Sequence, residues 1–156
     1  MYCRMRRYAP SPVPFYICPN CKQRSVDHDG RQGLLDAPLA CETCGFGFLF
    51  ELLEDYYPGP NTGFVVCDQA GRVLALGRGV FELTGYREQD VLGRDLAEAF
   101  ALSDPTPATT ALEWGVRRFG QQLELRTRAG STRAVTADFF PAYDRDGGLL
   151  VALAPR

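Results

Sequence analysis

Four cysteines fall in two pairs, Cys18-Pro19-Asn20-Cys21 and Cys41-Glu42-Thr43-Cys44, with 19 residues between the pairs. Two residues between cysteines let one tight turn aim both sulfurs at a single ion. Two such knuckles complete a tetrahedron of thiolates about 2.3 Å from a zinc ion. The gap lies within the range of four-thiolate sites, roughly 15 to 20 residues. The second knuckle runs into Gly45, a residue free to take positive φ. A segment this short cannot bury enough apolar surface to fold by itself, and metal binding supplies on the order of 10 kcal/mol. The expectation is a closed structural zinc site of Cys18, Cys21, Cys41 and Cys44, with no position left for a reactive water.

The compartment follows from the N-terminus. Met1 to Phe15 holds three arginines and three prolines but no apolar stretch of the kind a secretory signal carries. A cytoplasmic, reducing location is expected, where cysteine pairs read as metal ligands before disulfides. Cys3 and Cys67 lack partners at ligand spacing, and Cys67 sits in an apolar strand as a small hydrophobe. His28, the only histidine, lies between the knuckles. No apolar run approaches the roughly 18 residues of a membrane span.

Phe15-Tyr16-Ile17 leads into the first knuckle as a strand. Phe46 to Leu52 leads out of the second with aromatics at alternate positions. Strand, knuckle, loop, knuckle, strand resembles the zinc ribbon family. The competing reading is a dithiol redox centre, which would place one pair at a helix start in a βαβ frame and leaves the second pair unexplained. Zinc ribbons often bind nucleic acid. Here Ile17 to Tyr57 carries seven acids against three bases, which argues against phosphate contact. The basic residues Arg4, Arg6 and Arg7 lie ahead of it. Two prolines around a glycine, Pro58-Gly59-Pro60, then break regular structure. The expected division is a basic tail over 1–14, a ribbon over 15–57, a linker over 58–62 and a larger domain over 63–156.

The larger block reads as α+β. Phe64 to Asp68 and Arg72 to Leu76 are strands around the turn Gln69-Ala70-Gly71. Short helices follow at Val80 to Leu83, Glu88 to Leu92 and Asp95 to Phe100. A longer one over Ala108 to Phe119 puts Leu112, Val116 and Phe119 on one face. Gln122 to Arg128, Arg133 to Tyr143 and Leu149 to Leu153 close the block as strands. The expected architecture is a five-stranded antiparallel sheet with short helices on one face.

That order, with Gly63-Phe-Val-Val-Cys-Asp-Gln-Ala-Gly-Arg-Val73, Phe81-Glu-Leu-Thr-Gly-Tyr-Arg-Glu-Gln-Asp-Val-Leu-Gly-Arg94, Arg128-Ala-Gly-Ser-Thr132 and Asp144-Arg-Asp-Gly147, resembles the PAS family of sensory domains over about 95 residues. The resemblance implies a curved sheet cupping a cavity that holds haem, flavin or a small metabolite in some members and nothing in others. It also implies a surface used for dimer and effector contacts.

Residues 58–156 contain no His and no Met, which disfavours a histidine-ligated haem. Light-oxygen-voltage photosensors carry a flavin-reactive cysteine in a Gly-Arg-Asn-Cys-Arg-Phe run. The run here is Gly93-Arg94-Asp95-Leu96-Ala97-Glu98, with leucine at the cysteine position, so photoactive flavin is disfavoured too. Gly77 stands where many PAS sequences have asparagine. Pattern and resemblance together send Phe81, Leu92, Leu96, Phe100, Leu112, Val116 and Phe119 inward from the helices, and Val66, Leu74, Leu125, Val135 and Phe139 from the sheet. Phe81, Leu92, Leu96, Phe100, Leu112, Val116, Phe119, Leu125 and Phe139 are the candidate pocket for a small apolar ligand, with ordinary core packing as the alternative. Trp114, on the opposite side of its helix, is the candidate interface residue. No nucleophile–base pair or phosphate loop is found. The expectation is a non-catalytic regulatory protein that senses a small ligand or a protein partner, with a homodimer among the possible outputs. The alternatives are a dimerising or transcription-associated adaptor with a filled core, and a dithiol oxidoreductase.

Overall fold

A computed structural model describes residues 15–22, 24–26, 44, 50–52, 58–141 and 148–156. Three short strands, β1 (Phe15–Ile17), β2 (Arg24–Val26) and β3 (Phe50–Leu52), form an antiparallel sheet in the order β2-β1-β3. Phe15 stands opposite Val26 on one side and Leu52 on the other. The expected strand into the first knuckle is β1.

The larger sheet contains β4 (Gly63–Cys67), β5 (Val73–Leu76), β6 (Arg118–Arg126), β7 (Thr132–Pro141) and β8 (Leu149–Pro155), antiparallel throughout in the order β5-β4-β8-β7-β6. The run Leu-Leu-Val-Ala-Leu at 149–153 is apolar at every position because β8 is central and covered on both faces. Leu149, Val151 and Leu153 join an inner cluster with Leu83, Val91, Phe100, Leu125, Val135 and Phe139. Leu150 and Ala152 join an outer cluster with Ile17, Phe64, Val66, Ala75 and Phe140. The adjacent pair Phe139 and Phe140 therefore splits between faces, as strand alternation requires.

Four helices lie between β5 and β6: α1 (Val80–Thr84), α2 (Glu88–Val91), α3 (Leu96–Phe100) and α4 (Thr106–Trp114). The Asp95 carboxylate caps α3 by accepting from the Glu98 amide at 3.2 Å. The Glu88 carboxylate accepts from the Leu76 amide at 2.9 Å, tying α2 to the edge strand β5. Tyr86 meets Phe100 edge-on at 5.5 Å between centroids, closing the inner cluster on the helix side.

Two features depart from the alternation and periodicity of the sequence. Helix α4 stops at Trp114, because Gly115 takes the left-handed conformation at φ 64° and its amide bonds back to the Ala111 carbonyl. The expected helix to Phe119 is thus corrected: Val116 lies beyond the cap, and Phe119 belongs to β6. Each outer hairpin also carries an irregularity. In the β4–β5 pair, Val66 faces Ala75 while Cys67 faces Val73, leaving Leu74 as the extra residue. In the β6–β7 pair the register shifts between Arg118 and Gln121.

Candidate functional site

The first knuckle follows β1 directly. The Cys21 amide donates to Cys18 Sγ at 3.5 Å, the Lys22 amide donates to the Cys18 carbonyl at 2.8 Å, and Lys22 takes φ 64°. The position after the second cysteine therefore has a left-handed backbone, as was expected of Gly45 in the other knuckle. Here a lysine accepts it. Cys44 comes back to the same point: Cys18 Sγ and Cys44 Sγ are 3.6 Å apart, and the Asn20 amide nitrogen is 3.6 Å from Cys44 Sγ. The sulfurs of Cys18, Cys21 and Cys44 all lie within 4.8 Å of one another.

These distances suit a metal. Sulfurs about 2.3 Å from a tetrahedral zinc are about 3.8 Å apart, close to the Cys18–Cys44 separation. The chemistry of the donor set agrees. Burial pushes the Cys18 thiol up to about 12, with the neighbouring Cys44 and Cys21 thiols adding to the rise and the Cys21 and Asn20 amides opposing it. A thiol pushed up in this way stays protonated at neutral pH, and a divalent cation at the cluster would supply the charge that displaces its proton. Cys41, the expected fourth ligand, and Gly45 and His28 lie outside the described residues.

The knuckle sits on the larger sheet. Ile17 and Pro19 are buried, and Ile17 belongs to the outer cluster. A Cβ at Gly77 would lie 2.1 Å from the Pro19 carbonyl oxygen and 2.7 Å from its carbon, so glycine alone permits this approach. Lys22 Nζ donates to the Pro60 carbonyl at 3.3 Å. A groove of about 460 Å³ runs alongside, between Cys21 and Lys22 on the knuckle and Arg78, Glu82 and Arg133 on the larger domain. Sequence reasoning missed Ile17, Pro19, Lys22 and Gly77 as a group. The glycine in place of the asparagine after the second strand was the available signal.

The candidate pocket residues separate into three sets. Phe100, Leu125 and Phe139 are buried in the inner cluster. Leu96 and Leu112 line a cleft of about 260 Å³ between the β4–β5 turn, α3 and α4, together with Gly71, Asp95, Ala108 and Leu149. Phe81, Leu92, Val116 and Phe119 are corrected: all four are exposed, between 42% and 47%. On α1 the buried positions are Val80, Leu83 and Thr84, so Phe81 points away and lies under the Arg87 guanidinium at 4.5 Å. On α2 Val91 is buried and Leu92, past the helix end, turns out. Val116 follows the Gly115 cap. Phe119 is reversed by the β6 irregularity and meets Phe140, an outer residue, edge-on at 5.3 Å. Among the expected sheet residues, Val135 faces inward, Val66 lies in the outer cluster and Leu74 is exposed at its bulge. Trp114 is 75% exposed. Among the described residues, no helix is long and apolar enough to cross a membrane.

No protein-family model and no curated protein matches the chain. Solved structures do. The PAS domain of an HTR-like protein from Haloarcula marismortui aligns over 63% of this chain and 84% of its own, with a TM-score of 0.53 and 22% identity. A light-oxygen-voltage domain studied with a flavin analogue aligns over 61% and 77%, with a TM-score of 0.51 and 24% identity. The light-state dimer of the fungal blue-light photoreceptor Vivid aligns over 65% and 82%, with a TM-score of 0.53 and 13% identity. The five-stranded sheet and its helices have the PAS fold.

Proposed function

We propose that this chain is a non-catalytic sensory and regulatory protein. In this reading a PAS-type domain over 63–156 relays its state through protein contacts. A structural zinc ribbon over 15–57 is closed by Cys18, Cys21, Cys41 and Cys44. The observation that carries the reading is the convergence of three thiols on one point against the outer face of a PAS sheet. Their mutual spacing suits a metal, and the second pair in the sequence supplies Cys41 as the fourth ligand of a closed shell in this reading. A cytoplasmic, reducing location fits thiols kept for metal.

Metal analysis and an absorption spectrum of the purified protein test this. About one equivalent of zinc is expected, and less than about half an equivalent sinks the ribbon. Light-oxygen-voltage domains share the fold, so the spectrum also decides the cofactor. The leucine at position 96 leads us to expect no photoactive flavin, and a flavin or Soret band overturns that.

A second reading is a dimerising adaptor with a filled core. It is favoured by the packing of Phe100, Leu125 and Phe139, each no more than 1% exposed. The cleft beside Leu96 and Leu112 is smaller than the roughly 300 Å³ at which ligand sites usually begin. At that cleft a partner is accordingly favoured over a ligand as the input, with exposed Trp114 as its contact. Co-purification from native cells followed by mass spectrometry distinguishes a bound metabolite from a bound protein.

A further inference from the structure

We infer that metal occupancy at Cys18, Cys21 and Cys44 controls whether the outer face of the PAS sheet is covered, with the first knuckle acting as a metal-held clamp on that face. The inference rests on the zinc reading above and extends it from a structural site to a regulatory one.

Two contacts make the coupling. Ile17, adjacent to the ligand Cys18, is fully buried in the outer cluster with Phe64, Val66, Phe140 and Leu150. Pro19, between the two ligands of the knuckle, lays its carbonyl over Gly77 where a Cβ would lie 2.1 Å away. The residues that touch the sheet thus alternate along the chain with those that hold the metal. They cannot move independently, because only one residue separates Ile17 from Pro19 and that residue is Cys18.

What holds the clamp closed is decided by size. β1, β2 and β3 have three residues each, too few to persist as a sheet without additional constraint. Zinc would be held by Cys18, Cys21 and Cys44, whose thiol protons would pass to solvent as the metal–sulfur bonds form. Without it the thiols are neutral and offer only the weak hydrogen bonding of a sulfur. The knuckle then loses its shape, Ile17 leaves the cluster, and the Phe64, Val66, Phe140 and Leu150 face meets water. Coupling is reciprocal, so a sheet that cannot seat the knuckle binds the metal less tightly.

The test is hydrogen exchange of the full chain, zinc-loaded and chelator-stripped, read by mass spectrometry over residues 63–67, 72–77 and 149–153. Stripping is expected to speed exchange there by about tenfold or more and to be reversed by added zinc. Gly77→Ala keeps all the cysteines and removes the seat. It is expected to bind zinc more weakly and to show fast exchange even when loaded. Ile17→Ala is the second variant, should Gly77→Ala not fold, and is expected to narrow the loaded-to-stripped difference.

Stoichiometric zinc with identical exchange in the loaded and stripped forms overturns the clamp and leaves the zinc ribbon standing. A protein that takes up no zinc overturns both. A Gly77→Ala protein indistinguishable from the parent in zinc affinity and exchange also overturns the clamp.

Discussion

Cys67 ends β4 within the inner cluster, on the other face of the sheet from Ile17 and the cysteine cluster next to it. Burial pushes its thiol up to about 12, and the Asp68 and Asp95 carboxylates add to the rise. In the unfolded chain the same thiol ionises near 9.0. Between those two values the unfolded state binds fewer protons than the folded state, so stability falls as pH rises and shows no dependence on Cys67 below 9. The slope has a ceiling of about 1.4 kcal/mol per pH unit. Denaturant midpoints at pH 8.5 and 10.5 should therefore drop further for the parent than for Cys67→Ala, by about 1–2 kcal/mol. Parallel losses would show that the Cys67 thiol ionises over the same pH range in both states. Lys22 carries a different kind of cost, a lysine held at φ 64° for the knuckle. A β-branched residue is much worse there, and Lys22→Val should destabilise by about 1–2 kcal/mol with a matching loss of zinc affinity by titration.

The helices of the PAS layer are short, so their ends matter as much as their middles. Asp95 caps a helix of only five residues. Replacing it with Ala should cost about 1 kcal/mol in equilibrium denaturation, and with Asn considerably less. Gly115 offers a cleaner case, because a Cβ there meets nothing within 4 Å and only the backbone conformation opposes it. Gly115→Ala should cost about 1–2 kcal/mol without disturbing packing, as judged by unchanged near-ultraviolet dichroism. These elements also show how far the chain could be read before the fold was known. Leu149 to Leu153 read as a strand, the Gln69-Ala70-Gly71 turn was in place, and Asp95 stood at a helix start. The apolar series Leu112, Val116 and Phe119 misled because its period runs straight through Gly115, and a period cannot register a residue that ends the helix it describes. Leu74 was misplaced for a related reason. A one-residue bulge reverses every later position on the strand and leaves no trace in composition. At the cysteine cluster the reverse held: cysteine spacing brought Cys18, Cys21 and Cys44 together in advance, whereas the seat of the knuckle on Gly77 depends on a contact 58 residues away in sequence.

Two apolar clusters on opposite faces of one sheet give the molecule its cohesion. The inner one needs no metal, and Phe100→Ala, removing its largest helix-side member, should destabilise by about 3–5 kcal/mol whatever the zinc concentration. The outer one includes Ile17, so its stability should follow free zinc. Above the dissociation constant each tenfold rise in buffered zinc adds about 1.4 kcal/mol to the unfolding free energy, and Cys18→Ser should abolish that dependence. Denaturation at a series of buffered zinc concentrations measures both. The position of β8 carries a further consequence. It is the final strand along the chain and the middle strand of the sheet, flanked by β4 and β7. During synthesis the β4–β5 hairpin and the β6–β7 hairpin emerge first, with no strand to join them. Both clusters stay incomplete until Leu149 to Pro155 are in place, so a chain in which β8 has not yet paired holds two open sheet edges, one on β4 and one on β7.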